Sequence, residues 1–231
     1  MTINDIITTA NLDKVYPVAG EDFYALKNVN LGFGEGEFTG VVGPSGSGKT
    51  TLLNIIGSLD KPTNGHVSFL GEDITGLSAK ESAILRSQQI GFIFQTYNLL
   101  PVYTVYENLE LPLILLGLSS TEKNKHIMES LEWVGLPDKK NSKPAALSGG
   151  QCQRVAIARA MVKKPKVVLA DEPTANLDSE NSHLILQTMK KINQESQTTF
   201  LFSTHDEKVI SYLNRKITLV DGSIANDELI S

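Results

Sequence analysis

Cysteine is almost missing. Cys152 is the single one in 231 residues, so neither an internal disulfide nor a Cys-based zinc site can form, and the expectation is a reducing compartment, the cytoplasm by default. Positive charge is in deficit, with 21 Lys and Arg against 26 Asp and Glu and a net charge of -5. That balance lacks the electrostatic footprint of a nucleic-acid binder or of a protein held on an anionic membrane surface. Long apolar runs are missing too: the most apolar stretch, residues 109–118, is too short to span a bilayer and contains Pro112. The opening MTINDIITTANLDK has no basic n-region and no apolar run of signal-peptide length, so no secretion signal is expected. Internal repeats, low-complexity tracts and sustained heptads are absent, which sets aside collagen, disorder and coiled coil. What remains, 41% hydrophobic and 20% charged residues, is ordinary for a globular chain. At this length such a chain buries roughly 70–75% of the surface exposed when unfolded.

Short apolar runs alternate with helical patterns, which predicts an α/β fold with a mainly parallel sheet covered by helices. EGEFTGVVG (35–43) reads as a buried strand ending in glycine, and KTTLLNIIGSL (49–59) as a helix stopped by the Asp60-Lys61-Pro62 turn. Further strands are expected over 66–70, 90–94, 166–170, 198–204 and 216–220. Between Gln95 and Pro165 the strand signal vanishes. Helices are expected there over 104–116, 121–135 and 149–163, a helical insertion within the α/β core.

Gly43-Pro44-Ser45-Gly46-Ser47-Gly48-Lys49-Thr50 fits GxxxxGK[ST], follows a predicted strand and opens a predicted helix, the setting of a phosphate loop. Small residues let backbone N–H groups converge on phosphate oxygens, Lys49 reaches the β and γ phosphates, and Thr50 offers a hydroxyl to Mg²⁺. Val167-Val168-Leu169-Ala170-Asp171-Glu172 is an apolar strand ending in two carboxylates, and such ends open at the ligand-binding edge of an α/β sheet. Asp171 is placed to hold Mg²⁺. Glu172, one residue on, faces another way and can accept a proton from water. In Leu147-Ser148-Gly149-Gly150-Gln151, Ser148 and Gln151 form a capping-box pattern. The two glycines leave that helix N-terminus open to a second phosphate. One small domain has little use for two γ-phosphate cradles unless they meet across a dimer.

GPSGSGKT, LSGGQ and VVLADE, then Asn176-Leu177-Asp178 and Ser203-Thr204-His205-Asp206, stand in the order and spacing that resemble the ATP-binding subunit of an ABC transporter. The resemblance runs from about Tyr16 to Gly222. It implies a P-loop NTPase with a RecA-like core and an antiparallel β subdomain over 1–95 and 165–231, and a helical subdomain carrying the signature over 96–164, together one domain. It implies ATP and Mg²⁺ as cofactors, with the nucleotide held by Tyr16 stacked on adenine, by Gly43 to Thr51, and by Ser148, Gly149, Gly150 and Gln151 of a second copy. Glu172 would be the general base, His205 the switch residue at the γ-phosphate, and Lys49 part of the catalytic set. Gln95 would sense Mg²⁺ and the attacking water, Thr50 and Asp171 complete the metal set, and Asp178 would cross the dimer interface. Cys152 stands where the family commonly has Gln, and is read as a tolerated substitution.

Within the family, YALKNVNL, LLNIIGSLDKPTNG, IGFIFQTYNLLP, TVYENLELPL and DEPTANLD resemble the branch of lipoprotein-releasing, macrolide-export and cell-division ATPases. This implies a homodimer beneath an integral membrane permease, peripheral on the inner face of the membrane, with no nucleic acid and no insertion of its own. The expected process is lipoprotein release, macrolide or peptide efflux, or a related envelope process. The alternative, a soluble ABC ATPase acting on DNA or ribosomes, goes with a long coiled coil, zinc-binding cysteines or tandem nucleotide domains, none of which the sequence has. A regulatory module that binds ATP without turnover is opposed by intact Lys49, Asp171, Glu172 and His205. The permease is expected to dock at Thr96-Tyr97-Asn98-Leu99-Leu100-Pro101, apolar for a loop, unless both leucines anchor the loop in the core.

Overall fold

The computed structural model describes residues 5–18 and 20–230. The first four residues of the opening read for a secretion signal lie outside it. A long hairpin comes first, β1 (Asp5–Val18) and β2 (Glu21–Gly34), then β3 (Phe38–Val42) and helix α1 (Lys49–Ile56). Next come β4 (Asn64–Phe69), β5 (Glu72–Asp73), α2 (Ala79–Gln89) and β6 (Ile90–Ile93). Helices α3 (Val105–Ile114), α4 (Ser120–Trp133) and α5 (Gly149–Met161) follow without a strand between them. The chain closes with β7 (Val167–Asp171), α6 (Ser179–Ser196), β8 (Thr199–Thr204), α7 (Glu207–Ile210), β9 (Arg215–Val220) and β10 (Ser223–Leu229). Among the described residues no helix is long and apolar enough to cross a membrane.

Two sheets result. One has the order β10-β9-β3-β8-β7-β6, with β9, β3, β8, β7 and β6 parallel and β10 antiparallel at the edge; the other, β2-β1-β4-β5, is antiparallel throughout. The strand read at 66–70 therefore belongs to the antiparallel sheet, paired with β1, and not to the parallel one.

The period-2 alternation of the buried strands divides the core into two layers. Phe38, Val168, Ala170, Phe200 and Phe202 point toward the layer shared with α3, α4, α5 and α6. Val41, Val167, Leu169 and Leu201, from the same strands, point toward α1 and the antiparallel sheet. In the first layer the rings of Phe38 and Phe202 lie 4.7 Å apart and those of Phe38 and Phe200 5.6 Å apart, tilted contacts that add about 0.5–1.5 kcal/mol each beyond burial.

Helix α1 ends earlier than the sequence predicts. Gly57 closes it, Ser58 takes a left-handed φ of 53°, and the Leu59 and Asp60 N–H groups both return to the Asn54 carbonyl. The chain reverses before Asp60-Lys61-Pro62, laying Asp60 alongside the helix instead of at its end.

Candidate functional site

Parallel strands put their carboxyl ends on one edge, and the register aligns the motifs there. Val42, the last residue before the glycine loop, pairs with Thr204; Asp171 pairs with Ser203; and Ile93, two residues before Gln95, pairs with Ala170. This is the edge at which open α/β sheets take ligands.

The loop from Gly43 to Gly48 is exposed over Pro44, Ser45 and Gly46, with Ser47 buried beneath. Gly48 is the N-cap of α1 at φ 104°, and a Cβ there would fall 2.3 Å from the Ala25 carbonyl oxygen, so only glycine fits. It brings no side-chain cap, which leaves the first N–H groups of α1 for an anion. The Lys49 ammonium donates to the Gly43 and Pro44 carbonyls, 2.9 Å each, and so curls over its own loop. Thr50 Oγ1 donates to the Asp171 carboxylate at 3.0 and 3.2 Å. A hydroxyl and a carboxylate this close form the hard oxygen set that suits Mg²⁺, and an uncapped helix N-terminus beside them suits a polyphosphate. The residues present thus fit both groups.

Glu172 has a left-handed φ of 46°, with its N–H bonded to the Ser203 carbonyl at 2.9 Å, and this turns its side chain away from that of Asp171. Its carboxylate is gripped from two sides: Thr204 Oγ1 donates to Oε2 at 3.2 Å and His205 Nδ1 lies 2.6 Å from Oε1. Glu172 is mostly buried, whereas the His205 side chain is 64% exposed. The fully buried Thr204 also accepts the Asp206 N–H at 3.0 Å, and Asp206 in turn accepts the Thr174 hydroxyl at 2.9 Å. Neither Thr204 nor Thr174 was singled out by sequence, although both lie within the motifs. Their signal is a hydroxyl residue next to a candidate catalytic group.

Gln95 is exposed at the end of β6, and its carbonyl accepts the Asn176 side-chain amide at 2.9 Å. Beyond it, Tyr97 and Asn98 both have positive φ, and the Arg159 guanidinium of α5 holds their two carbonyls. Leu99 packs against the core, while Leu100 stays 43% exposed. Leu99 thus anchors the loop in the core, and Leu100 stays at the surface. Leu100 borders a groove of about 680 Å³ lined by Leu111, Pro112, Ile114 and Leu115 of α3 and the segment after it, by Phe92 and Phe94, and by Arg86, Arg159 and Lys163. Burial, with Arg86 beside it, pushes the Lys163 ammonium down to about 8.

The signature residues sit on another element. Ser148 caps α5, its Oγ accepting the Gln151 N–H at 3.3 Å while Gln151 Oε1 accepts the Ser148 N–H at 3.0 Å. Gly150 has a packing reason of its own, since a Cβ there would fall 2.3 Å from Asn181 Oδ1. Asp178 is exposed and caps α6, accepting the backbone and side-chain N–H groups of Asn181 at 2.8 and 2.7 Å. Those bonds hold its carboxyl below the usual range. Cys152 is buried, and burial pushes its thiol up, away from a reactive thiolate. Helix α1 packs on β2, β7 and β8, and α5 on β6, α3, α4 and α6. The two candidate phosphate-facing helices thus pack in different layers of the core.

Tyr16, on β1, reaches the flank of α1, where its phenol donates to Asp60 Oδ2 at 2.8 Å. Lys14 and Asp60 around it were not singled out by sequence, because the LDKP turn reads only as a helix stop.

A family model described as ABC transporter matches residues 26–175. The chain is 46% identical over 227 residues to the ABC transporter ATP-binding protein MJ0796 of Methanocaldococcus jannaschii, covering 96% of this chain and 97% of that one. It is 42% identical over 225 residues to the lipoprotein-releasing system ATP-binding protein LolD of Geobacter metallireducens, covering 97% of this chain and all of that one. A structure of MJ0796 described as a dimeric post-hydrolysis state bound to ADP and Pi superposes with a TM-score of 0.89 at 45% identity, over 97% of this chain and 99% of that one. A strand edge that gathers an uncapped phosphate loop and three acid–base side chains, with relatives this similar along nearly their whole length, leaves one conclusion: the chain belongs to the ABC transporter family, as one of its ATP-binding ATPase cassettes.

Proposed function

We propose that this subunit hydrolyses ATP at two composite sites formed by a homodimer, and that the closing and opening of the dimer drive a membrane permease on whose inner face it sits. The observation that carries this reading is the Glu172 carboxylate, held between Thr204 and His205 beside the Thr50–Asp171 pair and the uncapped start of α1. Glu172 accepts the proton of the attacking water. His205 Nδ1 faces that carboxylate, and with a proton on each ring nitrogen the imidazole donates through Nδ1 to Glu172 and through Nε2 to the γ-phosphate. Lys49 leaves its two loop carbonyls for the β and γ oxygens, and the N–H groups at the start of α1 bind the anion. Thr50 and Asp171 would hold Mg²⁺, with Gln95 at its edge, and the ion supplies charge neutralisation at the phosphates. Ser148, Gly149 and Gln151 of the second copy would face the same γ-phosphate, so bound ATP joins the two halves and phosphate release parts them. The dimeric state described for MJ0796 supports this pairing.

The domain division follows the same reading, a core with an antiparallel β subdomain over 1–95 and 165–231 and a helical subdomain over 96–164. The groove beside Leu100, between those parts, is the docking surface for the permease. A 29% identical structure with a TM-score of 0.88, CbiO1 of Clostridium perfringens, is described as part of an ABC transporter complex; it covers 98% of this chain and 89% of that one. The resemblance to LolD favours lipoprotein release or a related envelope process for this chain.

Two variants test the composite site. Lys49→Ala removes the charge facing the phosphates and should weaken ATP binding itself by tenfold or more. Ser148→Arg places a bulky cation on the opposite half, so ATP binding by the monomer should stay within about twofold of the parent while phosphate release is lost. Equal loss of ATP binding in both variants would contradict the assignment of the signature to the second copy.

A further inference from the structure

The family resemblance makes Tyr16 the platform on which adenine stacks, and its surroundings gain their meaning from that role. Its ring is not simply laid on the surface. The phenol donates to Asp60 Oδ2 at 2.8 Å, and Lys14 Nζ bonds Asp60 Oδ1 at 2.8 Å and the Lys61 carbonyl at 2.7 Å. Lys14 also stands 4.8 Å from the centre of the Tyr16 ring, so the same ammonium that neutralises Asp60 covers one ring face. The Lys61 N–H closes the set on Asp60 Oδ1 at 2.7 Å. Asp60 reaches this position through the chain reversal after α1, where its own N–H returns to the Asn54 carbonyl.

We propose, resting on that role for Tyr16, that Asp60 is a positioning residue for the nucleotide: through its hydrogen bond to the Tyr16 hydroxyl it fixes the tilt of the adenine platform against α1, the helix whose first turn holds the phosphates. Stacking alone needs only a ring, and phenylalanine supplies one. A platform free to turn about its side-chain bonds gives up part of its stacking energy to ordering when the base arrives, and a charge-assisted bond of 2.8 Å removes that cost in advance. Lys14 stands over one ring face, so in this proposal the base stacks on the other. Burial, and then Asp60, raise the phenol above its ordinary value, so the hydroxyl keeps its proton for this bond throughout the physiological range.

Binding of ADP and of inorganic pyrophosphate, measured by titration calorimetry, separates the base from the phosphates. Tyr16→Phe and Asp60→Ala should each weaken ADP about five- to tenfold and leave pyrophosphate unchanged. The double variant should bind ADP no more weakly than the weaker single one, because the Tyr16–Asp60 bond is already broken in each single variant. In Tyr16→Phe, Asp60 keeps Lys14 and the Lys61 N–H, so no buried charge is stranded. Parent-like ADP affinity in Tyr16→Phe, with a clear loss in Tyr16→Ala, would overturn the inference and keep the platform. Parent-like affinity in Tyr16→Ala would remove the adenine reading itself. Equal loss of ADP and pyrophosphate in Asp60→Ala would also overturn the inference, by making Asp60 a support of the phosphate loop.

Discussion

The Glu172 carboxylate is held by two neighbours of unlike character. His205 is exposed and free to exchange partners, whereas Thr204 is fully buried and bonded at both ends, to Glu172 Oε2 and to the Asp206 N–H. Thr204 is therefore the fixed member of the grip. Thr204→Val keeps the shape and removes the hydroxyl that holds one oxygen of the Glu172 carboxylate. Turnover should fall about tenfold with ATP affinity within twofold, and Thr204→Ser should restore it. Parent-like turnover in Thr204→Val would assign the threonine to packing alone. The candidate residues themselves were legible in the sequence because phosphate and acid–base chemistry fix residue types at close spacing. Thr204, Asp60 and Lys14 were not, since their roles arise only from contacts that bring distant segments together, such as Lys14 with Asp60.

Elements with strong internal patterns were read well. The buried parallel strands β3, β7 and β8 and the three helices between Gln95 and Pro165 all lie within a few residues of their expected positions. The misses have physical causes. β1 and β2 pair through four register shifts, which break the alternation that marks a strand, and α2 buries only Ser82, so it has no apolar stripe to detect. Helix α6, not assigned from sequence, does carry a stripe, with Ile185, Leu186, Met189 and Ile192 buried behind an Asp178 cap. The glycines of α5 show how one motif serves two purposes. Asn181, fixed by Asp178, stands where the Cβ of Gly150→Ala would go, so that variant should lose about 1–3 kcal/mol in denaturant unfolding. A Cβ at Gly149 meets the far end of Tyr97 at 3.1 Å and Leu177 Cδ2 at an ordinary 4.0 Å, and Gly149→Ala should be neutral or gain up to about 1 kcal/mol from helix propensity. The reverse order of stabilities would place the tight α5–α6 contact elsewhere.

At the scale of the whole molecule, the parallel sheet gathers the phosphate loop, Asp171, Glu172, Gln95 and His205 on one edge, while the signature is carried by α5 among the helices. The groove beside Leu100 is lined by α3 and by the ends of α2, β6 and α5. Leu100→Asp changes an exposed residue at its rim and leaves the core-packed Leu99 in place. It should abolish co-purification with the permease and transport while thermal stability and the ATPase of the isolated subunit stay near the parent values; loss of folding would make Leu100 a core residue and move docking onto α3. The central claim, that ATP closes a homodimer around Glu172 and hydrolysis reopens it, is tested most directly by the size of Glu172→Gln in gel filtration with and without ATP. The amide keeps the shape of the side chain and cannot accept the proton of water, so turnover should fall by orders of magnitude and the variant should run as a dimer with ATP and a monomer without it. A monomer with ATP at micromolar protein would contradict the account.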